Sequence, residues 1–452
     1  MCLFLISSNI ILENIQKRKI FKRGNDMEIK RDVYLKRLID RMDNGMIKVI
    51  TGIRRCGKTY LLFHLFYDYL IQSGVHEDNI ITVPLDDYDY SEYTDPLKLY
   101  EYIKSRMTDK KNKYYILIDE AQYAITKEEM KNPDVPIRLY GVLNGLLRKE
   151  NADVYVTGSN SKFLSTDILT EFRGRGDEIH IAPLSFSEFF HAKKWDKSDA
   201  WREYTYYGGM PRILSEKDDP AKSSYLERLN KEIYIRDIME RYDIRNGEGM
   251  EELMKVLASA IGSLTNAQKV ADTFNSSGIK GITMPTIANY LVYLQESFII
   301  QKAERYDIKG RKYISTPAKY YYSDIGLRNA ILNFRQYEET HIMENVIYNE
   351  LVYRGYNVDV GVVEARTADG GRKQLEVDFV ANQGNKRYYI QSAFALPDQE
   401  KIDQEQASLL RIADSFKKIL VVNSNTPTWI NDHGILIINL YDFLLNEGSL
   451  DL

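Results

Sequence analysis

At 452 residues, with 44% hydrophobic and 28% charged residues, the chain has ample material for a core and for about two to four domains. A formal net charge of −4 excludes a protein coated in basic charge, and two cysteines, Cys2 and Cys56, exclude a disulfide framework or a cysteine metal site. No apolar run approaches the roughly 18 residues of a membrane span, so the expectation is a cytoplasmic protein with no membrane partner.

Residues 1–26 hold an apolar run, Cys2 to Leu12, followed rather than preceded by the basic residues Lys17, Arg18, Lys19, Lys22 and Arg23. That is the reverse of a signal peptide, and the stretch is read as an extension or loose tail ahead of Met27. Met46 to Thr51 reads as a short buried strand. The next residues, Gly52-Ile53-Arg54-Arg55-Cys56-Gly57-Lys58-Thr59, fit G-x-x-x-x-G-K-[ST], and Tyr60 to Phe66 reads as an apolar helix. Strand, glycine loop and helix are the context a phosphate-binding loop requires. The glycines let backbone N–H groups curl around a polyphosphate, and the helix N-terminus adds its positive dipole end. ATP is therefore expected against Gly52, Arg55, Cys56, Gly57, Lys58, Thr59 and Tyr60. Lys58 would reach the β- and γ-phosphates, and the Thr59 hydroxyl would hold Mg²⁺.

A second strand is expected over Asn79 to Leu85 and a helix over Pro96 to Met107. The apolar run Tyr114 to Ile118 then ends in Asp119-Glu120, with Ala121 and Gln122 completing a D-E-A-Q sequence. In this pattern Asp119 would act on Mg²⁺ and Glu120 would polarise the attacking water. After a helix around Ile137 to Arg148, Asp153 to Thr157 is a further core strand, ending in Gly158-Ser159-Asn160-Ser161. It is expected between the two motif strands, pointing Ser159 or Asn160 at the γ-phosphate. Phe172-Arg173-Gly174-Arg175-Gly176 offers Arg173 or Arg175 as an arginine finger, or simply as solvated arginines. A strand, Glu178 to Ile181, and Pro183-Leu184-Ser185-Phe186-Ser187-Glu188-Phe189 follow.

Together these segments resemble one prokaryotic family of AAA-type ATPases, in the archaeal-ATPase branch related to the signal-transduction (STAND) NTPases. The likeness runs from about Met27 to the C-terminus. It implies an α/β fold: an ASCE P-loop parallel-sheet core over 27–190, a helical lid over 191–246 and a winged helix over 247–318. A C-terminal α/β domain resembling restriction endonucleases of the PD-(D/E)xK type would fill 319–452. Tyr206-Tyr207-Gly208-Gly209-Met210-Pro211-Arg212 is similar to the family's G-G-x-P element, which implies Pro211 near the adenine and Arg212 toward the phosphates. A plain turn between helices explains the same residues.

Helices over 251–261, 267–274 and 283–294, a strand at Phe298 to Ile300 and a turn rich in Lys309, Arg311 and Lys312 outline the winged helix. Its recognition helix offers Thr286, Asn289 and Tyr290 but no Arg or Lys, which favours a structural or protein-contact role over base reading. Beyond it, Met343 to Leu351 reads as an amphipathic helix, and Asn357 to Val360, Glu376 to Val380 and Arg387 to Gln391 as strands. The resemblance places Glu344, Asp378 and Gln391 at the nuclease's metal positions, but Ala393 stands where its lysine belongs. The domain is expected to keep the fold without the chemistry, unless a lysine such as Lys386 substitutes. The function expected is Mg-dependent ATP hydrolysis that moves the appended domains. The alternatives are a slow ATP-regulated switch or scaffold recruiting a protein partner, and a DNA-dependent ATPase of mobile-element or defence systems. A homo-oligomer remains open.

Overall fold

The computed structural model describes residues 29–452 apart from 133, 159–174, 194–195, 245, 277, 279–281, 367–370 and 425. Five short strands form the first sheet: β1 (Ile47–Thr51), β2 (Ile80–Pro84), β3 (Tyr114–Asp119), β4 (Ala152–Thr157) and β5 (Gly176–His180). They lie in the order β2-β3-β4-β1-β5, all parallel, so β4 sits between the two motif strands as expected. Parallel strands reached by helical crossovers are covered on both faces and so read as continuous apolar runs. Here Val49, Ile116, Ile118 and Val156 pack with Leu99, Ile103, Leu139 and Leu143 of the crossover helices Pro96–Arg106 and Arg138–Leu147. Ile50, Leu117 and Tyr155 face the other way, onto Leu62, Phe66 and Leu70 of the helical run that follows β1. A buried ion pair, Lys48 with Asp153, ties β1 to β4.

Helices Lys197–Tyr207 and Asp219–Arg228 come next, then Gly247–Ser259, Ala267–Ser276 and Met284–Glu296. The hairpin of β6 (Ile300–Asp307) and β7 (Lys312–Tyr322) follows the last of these. This hairpin does not stand alone. β6 pairs in parallel with β8 (Asn357–Arg366). The second sheet continues through β9 (Arg372–Gln383), β10 (Lys386–Ala393), β11 (Lys417–Val422), β12 (Trp429–Ile430) and β13 (Leu436–Asn439), in the order β12-β13-β11-β10-β9-β8-β6-β7. β7 therefore runs straight through residue 318, where a boundary was expected. The unpaired edge of β8 is what the hairpin covers.

The helix expected to be amphipathic is longer, Glu339–Tyr353, and is buried almost all round, including Met343, Glu344, Asn345, Val346, Ile347 and Tyr348. It packs between β7, β8 and β10 of the second sheet and the helix Ile325–Ile331, so most of its surface is covered. Among the described residues no helix is long and apolar enough to cross a membrane.

Candidate nucleotide site

The ends of β1, β3 and β4 meet at one edge of the first sheet, and the motif residues meet with them. The loop leaves β1 at Gly52 (φ +142°), and Gly57 (φ +103°) leads into the helical run beginning at Lys58–Tyr60. Glycine at 52 is dictated by packing as well as by backbone angle. A Cβ there would lie 2.2 Å from the Ile181 carbonyl oxygen, closer than any real side chain approaches. Lys58 is buried, and its ammonium donates to the loop carbonyls of Gly52 at 3.0 Å and Ile53 at 3.2 Å. The charge is thus held inside the ring of backbone groups that the motif predicts.

Thr59 Oγ1 donates to Asp119 Oδ2 at 2.6 Å, which joins the loop to the end of β3. The Thr157 hydroxyl, at the end of β4, donates to the other Asp119 oxygen and accepts the Glu120 N–H at 3.0 Å. Burial pushes the Asp119 carboxyl up, the Thr157 and Thr59 hydrogen bonds pull it down, and Glu120 and Asp86 push it up again. A carboxylate left buried among acids is stabilised by an added cation. One hydroxyl and one carboxylate are also the small oxygen set that Mg²⁺ takes from a protein when phosphates and waters supply the rest. The residues present fit that ion.

Glu120 takes a left-handed backbone conformation (φ +50°), rare for a residue with a side chain. Its carboxylate accepts a hydrogen bond from Gln122 Nε2, whose own Oε1 is buried without a partner. Asp86, just past β2, stands close enough that Glu120 raises its carboxyl, after burial itself.

Cys56 is fully buried and its Sγ contacts the Ile181 carbonyl at 3.4 Å, a packing position. Arg55 is exposed in a left-handed conformation, near enough to Tyr225 to pull its phenol pKa down against burial. Tyr60 packs against His64 with the rings tilted and their centroids 5.3 Å apart. The Pro211 ring comes within 3.9 Å of where a Cβ on Gly57 would stand, so the glycine-rich turn does approach the loop. Arg212 instead points outward to Glu216, at 2.7 Å. Arg175 is not brought to this edge. Its carbonyl accepts the N–H of Ile47 at 3.0 Å, at the start of β1 and the opposite end of the strand from the loop. Ser159, Asn160 and Arg173 lie outside the described residues.

In the second sheet the acids expected at a metal site enclose a lysine. Lys319 of β7 is 3% exposed, and its Nζ lies 2.8 Å from Glu344, 2.6 Å from Glu376 and 3.9 Å from Asp378. Tyr321 adds a hydrogen bond to Glu344 at 2.6 Å. Burial opposes the Lys319 charge, yet Glu344, Asp378 and Glu376 more than offset it and push its pKa up. Gln391 turns its Oε1 to the Asp378 N–H at 3.3 Å and the Ser408 hydroxyl at 3.4 Å. Lys386, named above as a substitute, is on the surface with Asp451, at 2.8 Å, and the lysine among these acids is Lys319. Among the described residues no group of three or more metal-capable side chains is arranged to hold an ion.

Residues 44–190 match the AAA domain family, and residues 198–338 match a domain of unknown function. An uncharacterized protein of Haemophilus influenzae is 33% identical over 422 residues, covering 92% of this chain and 98% of that protein. The chain belongs to that protein's family. It carries an AAA-type P-loop domain on a five-stranded parallel sheet. An uncharacterized protein of Methanocaldococcus jannaschii is 28% identical, with 97% of this chain and 92% of that one covered. Similar solved structures include Aeropyrum pernix ORC1 in complex with DNA, at 12% identity and TM-score 0.28, covering 68% of this chain and 93% of that one. AMPPCP-bound DnaA from Aquifex aeolicus is another, at 15% identity and TM-score 0.29, covering 58% of this chain and 86% of that one.

Thr157, Gln122, Lys319 and Glu376 had no assigned role in the sequence. Thr157 was legible as the last residue of the strand beside β3. Lys319 gave no signal, because its partners lie on elements further along the chain.

Proposed function

We propose that the protein is a Mg-dependent ATPase whose turnover moves the glycine-rich turn and the helices beyond it. The observation that carries this is the Thr59–Asp119 hydrogen bond, which brings the hydroxyl and carboxylate of two separate motifs to 2.6 Å beside the buried Lys58. Thr59 and Asp119 would hold Mg²⁺, which when bound offsets the charge of the β- and γ-phosphates. Lys58 would brace those phosphates from inside the loop, Glu120 would orient water and accept its proton, and Pro211 would flank the base. Ser159 or Asn160, following β4, would sense the γ-phosphate. A finger from Arg175 would have to reach a neighbouring copy, since it stands at the far end of its own sheet.

The slow-switch reading has one observation in its favour: the Glu120 carboxylate is engaged by Gln122 rather than left free to water. The winged-helix reading of residues 247–318 draws support from three helices followed by a hairpin. Its third helix exposes Met284, Asn289 and Val292, a surface suited to protein rather than phosphate. For the C-terminal domain, Lys319 among the carboxylates supports a nuclease-like scaffold without metal chemistry.

Steady-state phosphate release tests the ATPase reading. Wild type should turn over many ATP per protomer, and Lys58→Ala should reduce this by at least about 10²-fold. A single stoichiometric burst from wild type favours the switch, and equal turnover by Lys58→Ala removes the site.

A further inference from the structure

The helix Lys197–Tyr207 ends at Gly208 (φ +76°), and Gly209 and Met210 lead into the short turn Pro211–Ser215. The Gly209 N–H donates to Asp324 Oδ2 at 2.7 Å, 115 residues further along. Through Oδ1 the same carboxylate accepts the Leu327 N–H at 3.0 Å and caps the helix Ile325–Ile331. The two turns meet backbone to backbone. A Cβ on Gly208 would fall 2.2 Å from Asp324 Oδ1, and one on Gly326 would fall 1.9 Å from the Tyr207 carbonyl oxygen. Only glycine permits that approach.

Each side of this junction leads somewhere. Two residues past Gly209 stands Pro211, against Gly57 of the phosphate loop. On the other side, Asn329 Nδ2 donates to the Thr205 and Tyr206 carbonyls at 2.9 and 3.0 Å, and Asn230 to the Leu327 carbonyl at 2.9 Å. Arg328, fully buried, donates to the Ala258 carbonyl at 2.8 Å and to Glu338 at 2.6 Å. The helix headed by Asp324 is therefore bonded to the lid, to the helix Gly247–Ser259 and to the residue preceding Glu339–Tyr353. Asp324 is 3% exposed, and the groups that hold its charge are backbone N–H donors, with burial pushing its pKa up to about 6. Capping a helix needs one oxygen, and Asn or Ser serves as well as Asp. The second oxygen, on Gly209, is what a cap alone does not require.

We propose that Asp324 is a positioning residue of the nucleotide site, fixing Pro211 over the phosphate loop through Gly209 and so linking nucleotide binding to the helix Ile325–Ile331. This rests on the ATP reading given above. Asp324→Asn keeps one acceptor for the helix cap and turns an NH₂ toward the Gly209 N–H. In the full-length protein it should raise the Kd for a fluorescent ATP analogue, and KM for ATP, about tenfold, with kcat within about twofold. Hydrogen exchange on the wild type is the second measurement: a non-hydrolysable ATP analogue should slow exchange at 207–211 and at 324–331 together, and in Lys58→Ala at neither. Unchanged Kd and KM in Asp324→Asn overturn the proposal, as does protection that stops at the loop and leaves 324–331 unaltered. If the variant fails to fold, the wild-type exchange decides alone. A wild type that binds no nucleotide overturns the ATP reading first, and that titration precedes the others.

Discussion

Burying an ammonium costs several kcal/mol unless carboxylates surround it, and Lys319 has three within 4 Å. The converse also holds, because without the lysine Glu344, Glu376 and Asp378 would crowd negative charge into a buried site. Lys319→Met should therefore destabilise the protein by about 3–5 kcal/mol, read as a lowered denaturation midpoint. Mn²⁺ should restore part of that loss in the variant and leave the wild type unmoved, since the carboxylates would then have a cation to hold. An equal effect of Mn²⁺ on both proteins would mean the lysine does not occupy the ion's place. At this scale the sequence was only half legible. Glu344 and Asp378 announce themselves as acids on a helix and a strand, but a counter-charge arriving from another element leaves no local pattern.

The strand-loop-helix element around Gly52–Thr59 was legible because all its constraints are local. Continuous burial of the strand, glycine placement and the helix start lie within one stretch of chain. What the sequence did not carry is the reason for Gly52 beyond its backbone angle, namely the Ile181 carbonyl pressed against it from the segment after β5. Gly52→Ala should abolish nucleotide binding and lower stability by more than about 1 kcal/mol, combining a forbidden φ with a backbone clash. Equilibrium binding and a denaturation curve on the same sample check both parts. Wild-type affinity in a folded Gly52→Ala would show that the loop adapts. The hairpin β6–β7 is the opposite case. Its strands were foreseen in outline, but pairing with β8 is set by an edge that forms only when the C-terminal sheet does.

Across the whole molecule, two sheets are joined through buried polar contacts rather than a flexible linker. Arg31 bonds the Ala182 carbonyl at 2.7 Å and pairs with Glu188 at 3.3 Å, and Tyr353 reaches the same glutamate at 3.4 Å. Because Arg175 stands at the end of the first sheet away from its own loop, any finger action requires a second copy. Turnover per protomer should then rise with protein concentration, and Arg175→Ala should flatten that rise without changing ATP affinity. Concentration-independent turnover in the wild type removes Arg175 from the chemistry.

In the proposed mechanism binding and hydrolysis are divided between Lys58 and Glu120. Glu120→Gln keeps the shape of the side chain and removes its charge, so ATP should bind as in wild type while hydrolysis falls by about 10²-fold or more. The direct measurement is ATP binding and single-turnover hydrolysis of Glu120→Gln beside Lys58→Ala. The first should bind ATP tightly without cleaving it, and the second should lose binding. Equal loss of ATP affinity in both variants, or wild-type cleavage by Glu120→Gln, would contradict this mechanism.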